Sequence, residues 1–405
     1  MTSLLRTSTA LVMALSMTGI ASASNDDNSA QNSQSNWARV RAELNADIQN
    51  VHDDVTTTAA ALANSVNVEL TGDSYLSNYQ YHSGRISADS WNDVSNAGGE
   101  IAATTAAIAN SANFDIAGDH DDTVLDNVQR AYGRVTADSG LDIDNIGGDI
   151  ETTTAAIGSS LNADIAGDLD YANSNQFFRG NVLADTYADI RNAGGEVTAT
   201  TAAIANTATF TVGDDAQIDS RQVTVGLVTS DMGLDIRNVE GAVEATNAAI
   251  GNSLSVTTGD DLDWAYNNQT FNGDALAETY AHINNVGGDV TVTTAGIANT
   301  ATFTVEGTSG GIKNVQTVGR YDPSAVTSLS TFNVEGSVEA TSAALANSLN
   351  VSTLPNVHGL NVHSTQINHA LTQAETNAHI RNIGNDVSIT SAAIANSVNI
   401  SGLPN

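Results

Sequence analysis

Chemistry requires a nucleophile, an acid–base pair or a set of metal ligands brought within reach of one another, and this sequence offers each type in a pattern that serves none of them. There is no cysteine, which excludes a thiolate nucleophile, a thiolate metal site, a disulfide framework and a cysteine-linked lipid anchor. Serines are many, but none sits in G-x-S-x-G; H-E-x-x-H and a phosphate-cradling glycine loop are also missing. Four histidines fall near the end, His358, His363, His369 and His379, at spacings that match no zinc motif, so they read as exposed loop residues. Acids dominate: 46 Asp+Glu against 13 Lys+Arg give a net charge of −33, which repels phosphate backbones and excludes nucleic acid as a partner. The acids gather in turns such as Gly118–Asp122 and Gly213-Asp214-Asp215. These turns are the one place for Ca²⁺, but they lack the nonapeptide rhythm of calcium-binding β-rolls, and no catalytic, cofactor-binding or metal residue is expected.

What the sequence repeats is scaffolding. Asn50, Asn96, Asn145, Asn192, Asn238, Asn285, Asn333 and Asn382 each precede a turn, mostly Gly-rich, and are spaced 46 to 49 residues apart. Eight residues further on stands a threonine in every copy: Thr58, Thr104, Thr153, Thr200, Thr246, Thr293, Thr341 and Thr390. An Ala-Ala-Ile-Ala-Asn-Ser phrase follows, whose asparagine is Asn64, Asn110, Asn206, Asn252, Asn299, Asn347 or Asn396, with Ser159 as the exception. Sixteen residues before the turn asparagine is a glutamine in six copies, Gln80, Gln129, Gln176, Gln222, Gln269 and Gln366, with Gln316 at a gap of seventeen, and the first copy reads as lacking it. Eight units of about 47 residues, none able to bury its own apolar face, predict a stack of neighbours rather than several globular domains.

Within a unit the period is two. Val197, Ala199 and Thr201 alternate with Thr198 and Thr200, and Ile204, Asn206, Ala208, Phe210 and Val212 then read as one face. This predicts an all-β, elongated β-solenoid with one or two coils per repeat, the Ile-x-Asn asparagines facing inward and the threonines outward as ladders. The alanine-rich stretch leaves short helical-hairpin repeats as the alternative. Residues 1–23 read as a secretory signal peptide cut after Ala21-Ser22-Ala23, residues 24–36 as a polar linker, and 37–405 as the eight-repeat domain. No later stretch is long and apolar enough to span a membrane as a helix.

The unit Gln-x3-Gly-x-Val/Ile-x-Ala, Asn-x-Gly-Gly-Asp/Glu-Val/Ile, Ala-Ala-Ile-Ala/Gly-Asn-Ser/Thr resembles repeats of bacterial secreted surface fibre proteins. In Asn268–Asp274 and Ala249–Val256 it is similar to the holdfast-anchoring proteins of stalked alphaproteobacteria, the D-type anchor. The 22-residue curli spacing is not kept. The resemblance implies export through a curli-type outer-membrane secretion pore, attachment of an adhesive surface polysaccharide at the cell surface or outer membrane, self-association, and amyloid-like resistance to denaturants. The expected function is therefore a non-enzymatic surface anchor or fibre. Two alternatives are a carbohydrate-binding or carbohydrate-active β-helix, and an ice-binding solenoid suggested by Thr207-x-Thr209-x-Thr211 and Thr300-x-Thr302-x-Thr304.

Overall fold

The computed structural model describes residues 28–118, 122–353 and 359–402; the leader read at 1–23 and His358 lie outside them. Among the described residues there are twenty-two strands and no helix, so the helical-hairpin alternative is not what forms. The first coil is β1 (Asn28–Asn36), β2 (Val40–Val51) and β3 (Val55–Thr71). The second is β4 (Ser74–Ser83), β5 (Ile86–Ala97) and β6 (Ile101–Ala117). In the third and fourth the first two strands fuse, giving β7 (Thr123–Ile146) and β8 (Ile150–Ile165), then β9 (Leu169–Ala193) and β10 (Val197–Val212). The fifth is β11 (Ala216–Val225), β12 (Val228–Val239) and β13 (Val243–Thr258), and the sixth β14 (Leu262–Asn272), β15 (Ala275–Val286) and β16 (Val290–Val305). The seventh is β17 (Ile312–Val318), β18 (Pro323–Val334) and β19 (Val338–Thr353), and the eighth β20 (Val362–Asn368), β21 (Gln373–Ile383) and β22 (Val387–Ser401).

Each repeat is thus one coil. The third strands stack in parallel into an eight-stranded sheet, and the first and second strands into a fourteen-stranded one. At the usual strand spacing, eight coils extend about 38 Å along the axis. Like residues meet in register: Thr200 lies between Thr153 and Thr246, and Gln222 between Gln176 and Gln269. Asn28–Asn36, read from the sequence as part of a polar linker, is β1 and belongs to the first coil. The reading that the first copy lacks the glutamine is also corrected: Gln34 is the first rung of the column, accepting from Gln80, because coil pairing brings the polar side chains of β1 under their equivalents.

The two sheets enclose a flat interior with an apolar cluster at each edge and one in the middle. One edge holds Ile236, Val239, Val243 and Ala245 beside the asparagine turns. The other holds Phe210, Val212, Ala216 and Ile218. Alanines such as Ala203 and Ala205 meet Val182 and Phe178 between them. Volume is conserved across coils. Where the first strand offers a phenylalanine, the facing third strand offers a glycine: a Cβ at Gly158 would strike the Phe178 ring, and one at Gly251 the Phe271 ring.

One sequence reading is corrected here. Ile204 does not share a face with Asn206. Ala203 and Ala205 point into the central cluster, and Asn206 also points inward, to Val223 and Thr224. Two successive inward residues shift the parity and bend the strand, so Ile204, Ile250 and Ile297 form a separate outward row. The bend leaves them only 4–8% exposed.

Candidate functional site

The recurrent residues build four ladders. Turn asparagines adopt the left-handed conformation in all eight copies, φ 55° to 59°, a region asparagine tolerates better than other non-glycine residues. Each amide donates to the preceding copy, from Asn96 to Asn50 at 3.3 Å through Asn382 to Asn333 at 3.1 Å. The glutamines are buried from Gln80 through Gln316 and half-buried at Gln34 and Gln366 in the end coils. Gln222 Nε2 donates both to Gln176 Oε1 at 2.8 Å and to the Ser253 carbonyl at 2.7 Å, so it ties coil to coil and layer to layer at once.

Asn64, Asn110, Asn206, Asn252, Asn299 and Asn347 are likewise inward, each 0–4% exposed, while Asn396 in the last coil is exposed. Asn252 donates to Asn299 Oδ1 at 2.8 Å and accepts from Asn206 at 3.0 Å. The threonine column, Thr58 through Thr390, lies on the outer surface of the eight-stranded sheet, half-buried in most coils and buried at Thr153.

Ser159 interrupts the asparagine ladder, and the gap has visible consequences. The Asn110 amide nitrogen on one side and the Asn206 amide oxygen on the other are buried without partners, as is the Ser159 hydroxyl. An asparagine at 159 would accept from the first and donate to the second, as every other rung does. Ser159→Asn is therefore expected to stabilise the protein by about 1–3 kcal/mol, the cost of two orphaned buried groups being removed. A denaturant midpoint equal to or below that of the parent would show that the site lacks room for the amide.

Other columns carry no sequence signature as strong. Hydroxyls zip the two layers: Thr294 donates to Thr279, Thr327 to Thr294 and Ser342 to Thr327, all at 2.7–2.8 Å. At Met232, which has no hydroxyl, Asn247 replaces the facing one and reaches the Ser230 carbonyl at 2.9 Å and Thr279 at 3.1 Å. Turn acids serve as caps for the next coil. Asp215 accepts the Asp261 N–H at 3.1 Å, and its own N–H goes to Asp168 at 3.2 Å. The turn at 213–215, considered for Ca²⁺, thus spends a carboxylate on backbone; the other, 118–122, lies partly outside the described residues.

Among the described residues no three His, Asp or Glu side chains converge as metal ligands. His363 and His379 lie on separate strands, β20 and β21, and His369 in the turn between them. The histidine that stands apart is His82, a buried side chain whose pKa is lowered by burial against a smaller, opposing effect of the Gly84 backbone. The two threonine triplets belong to coils four and six. Their columns become Asn67, Asn113 and Asn162, and Glu69, Asp115 and Asp164, in the earlier coils.

Outside the ladders, the first-strand face bears a row of rings. Trp37, Tyr81, Tyr132 and Phe177 follow one another with centroids 5.6–5.8 Å apart. The second-strand face is acidic. Asp138, Asp185, Asp231 and Glu278 stack coil upon coil. Burial first, then the charges of Asp185 and Glu278, push Asp231 up to about 6. Its ionised form therefore costs folding free energy above that pKa, and the cost vanishes as pH falls towards the ordinary aspartate value. Asp231→Asn should raise stability at pH 7.5 by about 1–2 kcal/mol, discounted for partial exposure, and leave it unchanged near pH 4. Urea midpoints at the two pH values check this; an equal difference at both would refute the charge account.

Parallel coils joined by these polar ladders define a β-solenoid. The family model for holdfast attachment protein D matches residues 6–119, 166–239, 193–266 and 237–405. The chain belongs to that family, which is a holdfast attachment family and not an enzyme family, and is a holdfast-related, cell-surface-associated protein. No curated protein matches it. No solved structure matches it either. Among the described residues no helix is long and apolar enough to cross a membrane.

Proposed function

We propose that this protein anchors the adhesive polysaccharide of a holdfast at the cell surface and performs no reaction of its own. The observation that carries the reading is the family match, which covers seven of the eight coils in whole or nearly so. A ladder-bonded rod supports it physically, because an anchor must transmit load without local unfolding. Every coil is tied to the next by backbone pairing and by at least one side-chain amide. Export by the leader at 1–23 and passage through a curli-type outer-membrane pore belong to the proposal. So does self-association into amyloid-like fibres, which at a charge of −33 should strengthen as salt screens the repulsion.

Deleting the gene tests the anchoring. Adhesive is expected to be released into the medium while the cells detach. Adhesive that stays on cells lacking the protein would overturn the reading.

A further inference from the structure

The outer face of the second strands carries a column that alternates ring and small residue. Parallel register aligns Trp91, Gly140, Tyr187, Gly233, Tyr280 and Ser328 on successive coils. The rings lean onto the neighbouring glycines: a Cβ at Gly140 would strike the Trp91 indole, and one at Gly233 would lie 3.3 Å from Tyr187 Cδ2. Laid over glycine, a ring keeps its other face open, and Trp91, Tyr187 and Tyr280 are 50%, 51% and 55% exposed. They recur every second coil, about 9.6 Å apart. A groove of about 580 Å³ runs past Tyr187, Gly233, Asp235, Tyr280, His282 and Ser328, within the size range of oligomer-binding clefts.

Carboxylates flank this column two residues away on either side. One row is Asp89, Asp138, Asp185, Asp231 and Glu278; the other is Asp93, Asp142, Asp189 and Asp235. Arg41, Arg191 and Arg237 pair with Asp89, Asp189 and Asp235, and the other six acids have no ion-pair partner among the described residues.

We propose that this trough binds an extended polysaccharide bearing free amino groups; the assignment rests on the anchoring function proposed above and names its ligand class and place. The apolar face of a pyranose stacks on an aromatic ring. In an extended chain the same face returns at every second sugar, which suits rings on every second coil. Ammonium groups are attracted both to the ring faces and to the two carboxylate rows. An anionic polymer would be repelled by the six carboxylates that have no ion-pair partner among the described residues, and a neutral one would desolvate carboxylates without replacing their water.

Binding of a glucosamine hexamer, its fully N-acetylated counterpart and a uronic acid hexamer to the purified protein tests the proposal. The glucosamine hexamer should bind at least tenfold tighter than the acetylated one, more weakly as salt is raised, and the uronic acid hexamer should not bind. Tyr187→Ala with Tyr280→Ala, compared with the parent at a temperature where the melting curves show both folded, should lower that affinity at least tenfold. Tyr79→Ala on the first-strand face should not change it. Equal affinity for the two glucosamine-based hexamers, no binding of any hexamer, or an unchanged double variant would each overturn the assignment. Anchoring stands or falls separately, on whether cells without the gene keep their adhesive.

Discussion

Gly180→Ala is expected to destabilise the protein by about 4 kcal/mol or more, the range reserved for backbone and steric failures. Gly180 sits in the middle of β9, where the wide sheet turns from its first-strand to its second-strand half, with φ of +152°. Gly84, Gly133, Gly226 and Gly273 occupy the same place in neighbouring coils, and a Cβ at Gly180 would overlap the carbonyl oxygen of Gly133. The strain is therefore doubled: the backbone angle suits glycine, and the next coil leaves no space. Because coils contact only their neighbours, the damage should be local. Hydrogen exchange should accelerate in β7 through β13 and stay nearly unchanged in β20–β22. A variant with parental protection in coils three to five would show that the stack can open at this column.

Gln222→Leu should be the most damaging polar substitution, at about 2–6 kcal/mol. The leucine is of similar size and fills the space, so the loss is one of partners. Gln176 Oε1 and the Ser253 carbonyl each lose a donor, while Gln269 Nε2 loses one of its two acceptors and keeps the Thr300 carbonyl. The total is set by the two acceptors left short of a donor, each worth about 1–3 kcal/mol in a buried row. Gln222→Glu separates shape from charge: it keeps the acceptor but loses the donor and brings a carboxyl into the row, so it should be stable only when protonated, gaining stability as pH falls. A Gln222→Leu protein with a parental urea midpoint would mean that the ladder contributes alignment and no net energy.

Much of this architecture is legible in the sequence because a stack repeats itself. A fixed period of about 47 residues sets the number of coils, and identical residues at identical offsets must meet their copies when coils pair in register. That is why the Asn, Gln and Thr columns can be followed as ladders from the sequence alone, and why the asparagine before each turn already signals the left-handed angle. The motif that carries the family resemblance is built from the same columns.

The cross-section is a different matter. Whether one repeat makes one coil or two depends on contacts across the layers, such as Gln222 to Ser253 or Thr201 to Thr186, which join different positions of the unit, 31 and 15 residues apart, and are not marked by the 47-residue period. The same holds for the parity change between Ala205 and Asn206, which period-two reading carries straight through. Gln34 is the opposite case: it stands sixteen residues before Asn50, at the offset of the other glutamines, but lies in a segment whose polarity resembles a linker. The ring-and-glycine column of the second strands is the clearest case. Its residues differ from copy to copy, so the sequence shows only scattered aromatics and acids. Parallel register aligns them, because backbone pairing fixes the position of every side chain whether or not its identity repeats.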